Sequence, residues 1–220
     1  GIEYLSGAVG FRLPGRGSAR IEDWDISGPH IAERSALFVI IALGESFLVT
    51  GFAFVAQASS VVGVASVLLA FVNAVTLWWL YFDHAERAGA KAIARADKPG
   101  RLGNRAYTYT HAIIVAGIVL GSVADKEVLG HPDDTMKVSS AIVIAGGPFL
   151  YLVGLTVFRW IVVREMLLSH IVGAALIVVA AAVSAGMTPF VLFAMMTAIL
   201  VATAAWETVT RVRAGGDDEQ

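Results

Sequence analysis

The chain has 220 residues, 57% hydrophobic and 15% charged, with a mean hydropathy of +0.72 and a formal net charge of −2. Soluble domains carry about 25% charged residues, so a soluble globular domain of this length is excluded. Cysteine is absent, which removes a disulfide scaffold, a cysteine nucleophile and a Cys-ligated zinc, and the charge balance offers nucleic acid no attraction.

In chain order, residues 1–11 (GIEYLSGAVGF) are too few to cross a bilayer and read as the end of a preceding helix. The sequence is therefore expected to be a piece of a longer one. No basic stretch ahead of an apolar run marks a secretory signal. Residues 12–29 form a loop. A spanning helix needs about 20 mostly apolar residues, and six segments supply them: 31–54, 60–82, 106–124, 138–158, 166–186 and 188–208. The expected fold is all-α and polytopic. A six-helix transmembrane domain occupies residues 30–210, broken by a basic loop at 83–105 and followed by a tail at 211–220.

Basic residues orient this topology. With six crossings, one side receives Arg12, Arg16, Arg20, Arg87, Lys91, Arg95, Lys98, Arg101, Arg105, Arg159, Arg164, Arg211 and Arg213. The other receives Lys126 and Lys137, and Arg34 lies just inside the first span. Excess Lys and Arg in short loops marks the cytoplasmic face, so both the 83–105 loop and the C-terminal tail are expected there. Trp24, Trp78, Trp79, Trp160 and Trp206 fall on the same side, where aromatic rings favour the interface. The 83–105 stretch has basic residues about four apart and predicts a surface helix stopped at Pro99-Gly100. Arg87, Lys91, Arg95, Lys98 and Arg101 either contact anionic lipid headgroups, at about 1 kcal/mol each, or form a solvated linker that sets topology.

Ionisable groups inside spans cost about 2.5–3.5 kcal/mol at mid-helix, so each one is a candidate site. The first span reads GPHIAERSALFVIIALGESFLVTG, with Pro29 suited to its first turn. His30, Glu33 and Arg34 cluster on one turn. Glu45 lies eleven residues beyond Arg34, about 20° past three full turns, so the two share a face about 16 Å apart. A carboxyl at that depth either loads and unloads a proton or fixes packing by hydrogen bonding to a neighbouring helix. Gly44 permits close approach of a backbone, and Ser46 offers a hydrogen bond. In the second span Asn73 reads as interhelical glue or a ligand, and Asp83 and His84 share the depth of Arg34, in reach of a salt network. Tyr107 and His111 stack on one face of the third span, where a histidine either relays protons or bonds a backbone carbonyl. Gly117 and Gly121 suit close helix packing, and Gly146-Gly147-Pro148 predicts a kinked or broken fourth span. His170 and Glu207 are expected at the interface. No lysine sits at mid-membrane to carry retinal, and nucleotide loops, paired intramembrane aspartates and a G-x-S-x-G serine are all missing. Neither an enzyme nor a bound metal or cofactor is expected.

Two stretches resemble the bacterial low temperature requirement protein A family. One is Asp23-Trp24-Asp25-Ile26, then His30-Ile31-Ala32-Glu33-Arg34, running on to Leu43-Gly44-Glu45-Ser46; the other is Tyr107-Thr108-Tyr109-Thr110-His111 followed by Ile114-Val115-Ala116-Gly117. The Trp-Trp-Leu-Tyr-Phe end of the second span fits too. Members are nearly twice this long, so the resemblance implies the C-terminal part. It also implies a multi-pass inner-membrane protein connected with growth in the cold, and no particular substrate. Where the family often has proline two residues after the third-span histidine, this chain has Ile113.

Two functions compete. The first is a proton- or ion-linked transporter or channel whose polar path is lined by Glu45, Ser46, Asn73, Tyr107 and His111, with His30, Glu33, Arg34, Asp83 and His84 at its inner mouth. The second is a non-transporting protein that senses or organises lipid through the basic 83–105 segment. An enzyme acting on headgroups through His30, Glu33, Asp83 and His84 has no recognised spacing behind it. A homo-oligomer is compatible with either.

Overall fold

The computed structural model describes residues 28–57, 60–94 and 103–217. All regular structure among them is helical. Helix α1 spans Gly28–Gln57. Helix α2 spans Val61–Trp79 and is capped by Ser60, whose hydroxyl accepts from the Gly63 amide at 2.8 Å. A π-helical turn, Leu80–Ala85, carries α2 into a short helix α3, Glu86–Ala94. A second π-helical stretch, Gly103–Tyr109, leads into α4, Thr110–Gly130. Helices α5 (Val138–Val163), α6 (Leu168–Ala182) and α7 (Pro189–Asp217) complete the bundle.

Long-range contacts define its two ends. At one end Asp83 meets Arg211, Tyr81 meets His111, and Arg159 meets Glu207. At the other Thr50 meets Asp125, and the Phe190 amide donates to the Pro132 carbonyl. Successive long helices therefore alternate in direction.

Among the described residues, four helical segments are long and apolar enough to cross a membrane: His30–Phe52, Val61–Asp83, Val138–Val163 and Pro189–Arg213. The expected spans at 106–124 and 166–186 coincide with α4 and α6, which fall short of that criterion. The last third of α4 carries Asp125, Lys126 and Glu127. Helix α6 has 15 residues, about 22 Å at 1.5 Å per residue, against a hydrocarbon core of about 30 Å.

The most extensively packed pair is α4 with α5, and glycine is the reason. A Cβ on Gly117 would stand 2.7 Å from the Tyr151 amide nitrogen, and one on Gly147 would stand 2.8 Å from that of Gly121. Of the kink or break expected at Gly146-Gly147-Pro148, no break occurs, and α5 runs continuously through Pro148. Proline deletes one helical hydrogen bond, but the backbone of α4 lies directly against this turn and holds it in register.

Helix α3 lies within the stretch expected to form a surface helix. Ala85, Gly89 and Ile93 are buried, and a Cβ on Gly89 would meet the Phe158 ring at 2.6 Å. This face of the segment packs against α1 and α5, where its small residues recur at the helical repeat. The side chains of Arg87 and Lys91, and the whole of Arg95, Lys98 and Arg101, lie outside the described residues, as do residues 1–27 and Pro99-Gly100.

Candidate functional site

Among the described residues, three polar clusters lie inside the bundle. The first is aromatic and gathers Tyr81 from one π-helical turn and Tyr107 from the other around His111. Tyr81 Oη is 2.7 Å from His111 Nε2, and the Ala106 carbonyl is 3.4 Å from Nδ1. This geometry fits a ring with its proton on Nδ1, accepting the Tyr81 hydroxyl at Nε2. Tyr107 stacks on His111 with ring centroids 5.3 Å apart and planes 9° from parallel, and Phe158 meets both rings edge-on. Tyr107 and His111 are thus brought together as their spacing predicts. The histidine bonds a backbone carbonyl and, in addition, Tyr81, which sequence reasoning did not pick out. The Tyr107 hydroxyl is buried without a hydrogen-bond partner among the described residues.

The second cluster lies at the opposite end, between α1 and α4. Asp125 is 4% exposed. The Thr50 hydroxyl contacts Asp125 Oδ2 at 3.3 Å and the Ser46 carbonyl at 2.9 Å, while Oδ1 finds no partner among the described residues. Ser46 is buried beside this seam. Nearby, the Ser140 hydroxyl donates to Glu127 at 2.6 Å. Asp125 lies just beyond the expected end of the third span and was therefore passed over. The signal was present: Gly117, Gly121 and Asp125 repeat every four residues, so the close-packing face of α4 continues onto a carboxylate.

The third cluster joins α5, α6 and α7. Glu207 accepts from Arg159 at 3.1 Å and lies 3.1 Å from His170, and Arg159 also reaches Glu165 at 3.2 Å. Thr156 Oγ1 stands 3.5 Å from His170 Nδ1. His170 and Glu207 are 1% and 5% exposed at their side chains, so near the ends of their helices they form a buried network. The cause is tertiary: α6 starts with its first turn wedged between α5 and α7, which close over His170.

The remaining candidates are dispersed. Glu45 stands on the exposed side of α1 together with Arg34, so the two share a face as their spacing requires, but that face points out of the described bundle. The inward face of α1 carries Ala32, Val39, Leu43, Ser46 and Thr50 instead. Asn73 is buried, with its side-chain oxygen unpartnered among the described residues. His30 and Glu33 form an exposed pair at 4.0 Å. Asp83 pairs with Arg211 at 2.6 Å and accepts from the Trp79 indole at 3.3 Å. The side chain of His84 lies outside the described residues. Of the expected inner-mouth residues, His30 thus pairs with Glu33 and Asp83 with Arg211.

Apolar helices of spanning length, packed around histidine, arginine and carboxylate side chains, define a polytopic helical membrane protein. The chain belongs to the bacterial low temperature requirement A protein family, whose sequence profile matches residues 1–205. It is 32% identical over 208 residues to an uncharacterized protein of Rhizobium meliloti (strain 1021), a match covering 94% of this chain and 51% of that protein. The chain therefore spans about half the length of this relative. No solved structure matches it significantly.

Proposed function

We propose that this protein is a proton- or ion-linked transporter of the bacterial inner membrane, not an enzyme, and that Asp125 is the carboxylate that takes up and releases the proton. The reading rests on one observation: a buried carboxyl with one oxygen bonded to Thr50 and the other unpartnered among the described residues. Carboxylates held inside a membrane bundle are expensive and mark ion pathways. Ser46 and Thr50 supply hydroxyls along the same seam of α1, and Asn73, Tyr107 and His111 provide further buried polar groups toward the other end. In this reading α4 and α6 cross as well, giving six spans. The C-terminus then faces the cytoplasm, as the distribution of lysine and arginine favours.

The test is flux in proteoliposomes of the full-length protein carrying a trapped pH indicator. Asp125→Asn is expected to cut proton flux by at least about tenfold, since a positioned proton-transfer group contributes about 10²–10⁴-fold, while Asp125→Glu keeps part of it. Unchanged flux in Asp125→Asn removes the carboxylate from the mechanism. Loss of function on neutralising Lys91, Arg95, Lys98 and Arg101, with Asp125→Asn silent, would instead favour action on lipid.

A further inference from the structure

Among the described residues, helix α1 has a single polar tie to the rest of the bundle. Thr50 Oγ1 meets Asp125 Oδ2 at 3.3 Å, and the other side-chain hydrogen bonds and ion pairs of α1 stay within α1. A hydroxyl carries one proton. Its nearer acceptor is the Ser46 carbonyl, at 2.9 Å against 3.3 Å for the carboxyl. With that proton turned back onto its own helix, Thr50 offers Asp125 only lone pairs, so the proton between the two side chains sits on Oδ2. Asp125 is then a carboxylic acid donating to Thr50. Oδ1 becomes a neutral carbonyl oxygen, for which a missing partner costs less than for an anion. Charged groups do not disturb this arrangement. Asp125 forms no ion pair with a described residue. The inward face of α1 and the whole of α2 carry no charge, and α7 has none before Glu207. On α4, Lys126 is exposed and Glu127 accepts from Ser140; His131, Asp133, Asp134 and Lys137, between α4 and α5, are exposed.

We propose that this proton latches α1 to α4: bound, it closes the seam between Thr50 and Asp125, and released, it lets the two helices part. The inference rests on the reading of Asp125 as the proton-carrying group and adds what the proton does to the fold. Without it, a carboxylate stands buried against one hydroxyl, and an anion there needs several donors. Thr50 can turn its one proton toward it, and Oδ1 gains no donor from the described residues. Water supplies the rest only when α1 and α4 separate by about 3 Å, the span of one hydrogen-bonded water, and the released proton passes to that water. The sign follows from linkage. The closed seam binds the proton more tightly than the open one, so closure is complete at low pH and is lost as pH rises.

Gly51 on α1 and Gly130 on α4 are exposed, and a Cβ at either would meet nothing within 4 Å. The 220 residues contain no cysteine, so Gly51→Cys and Gly130→Cys supply the labelling sites among them. Spin labels at this pair, in the full-length protein in lipid nanodiscs, report the α1–α4 separation by electron double resonance. The mean distance is expected to lengthen by about 3 Å or more from about pH 5 to about pH 9, a range that spans raised carboxyl titrations. In Asp125→Asn, whose carboxamide donates to Thr50 at every pH, the short distance should persist throughout. A distance that does not change with pH when Asp125 is present overturns the proposal. Equal lengthening in Asp125→Asn overturns it too, because another group is then responsible. The measurement needs no transport, so it fails separately from the flux test. Flux lost in Asp125→Asn with no pH-dependent distance removes the latch and leaves the carrier, and lengthening confined to the Asp125 protein with unchanged flux does the reverse.

Discussion

Glu45 and Asp125 are both carboxylates in apolar helices, yet their surroundings differ in kind. Glu45 stands on the outward face of α1, whereas Asp125 is closed over by α1 and α4 and keeps one oxygen unpartnered among the described residues. The Arg159–Glu207–His170 network is a third kind of site, in which charge is buried but matched. Breaking such a network strands a buried charge, at about 3–5 kcal/mol. Glu207→Ala is therefore expected to lower stability by that order, read from the thermal unfolding midpoint in detergent. Replacing Arg159, His170 and Glu207 together by apolar residues of similar volume should cost less than Glu207→Ala alone, because no orphan charge remains. A triple variant less stable than the single one would show that the network contributes more than mutual neutralisation.

At the scale of elements, small residues decide which helices touch. The Gly117–Tyr151 and Gly147–Gly121 approaches leave no room for a methyl group. Gly117→Ala and Gly147→Ala should each force α4 and α5 apart and cost about 1–3 kcal/mol, the usual range for overpacking. Gly121→Ala and Gly130→Ala, whose added Cβ meets nothing within 4 Å, should change the unfolding midpoint little. Equal effects at all four positions would contradict this account of the α4–α5 pair. The G-x-x-x-G spacing was legible in the sequence, but which of its glycines is critical was not. That depends on where the backbone of the neighbouring helix falls. The π-helical turns at Leu80–Ala85 and Gly103–Tyr109 had no sequence signature either. Their effect is to swing Tyr81 and Tyr107 onto His111, a convergence that links residues far apart in the chain.

Across the whole molecule, alternating helix direction gathers the Asp83–Arg211 and Arg159–Glu207 pairs at one end and Asp125 and Ser140 at the other. With six crossings and the basic end inside, a cysteine introduced at Val212 should react with a membrane-impermeant thiol reagent only after the vesicle is opened. One at Asp133 should react in intact cells. The reverse pattern would invert the topology, and reaction of both in intact cells would reduce the number of crossings by an odd count.

What the sequence determined unaided is the environment and the helices. Long apolar runs leave a backbone in lipid no option but to bond within its own segment, so the helical segments and their approximate ends can be read from hydropathy, together with the family from the H-x-A-E-R and L-G-E-S residues. What only the tertiary structure decided is which side of each helix looks inward. Helix α1 is apolar almost all round, so no amphipathic pattern told the Glu45 face from the Ser46 and Thr50 face. The same holds for α4, where Asp125 is buried because a partner helix lies over it. In water, polarity itself marks the outer face of a helix; in lipid both faces are greasy, and only packing against neighbours tells them apart.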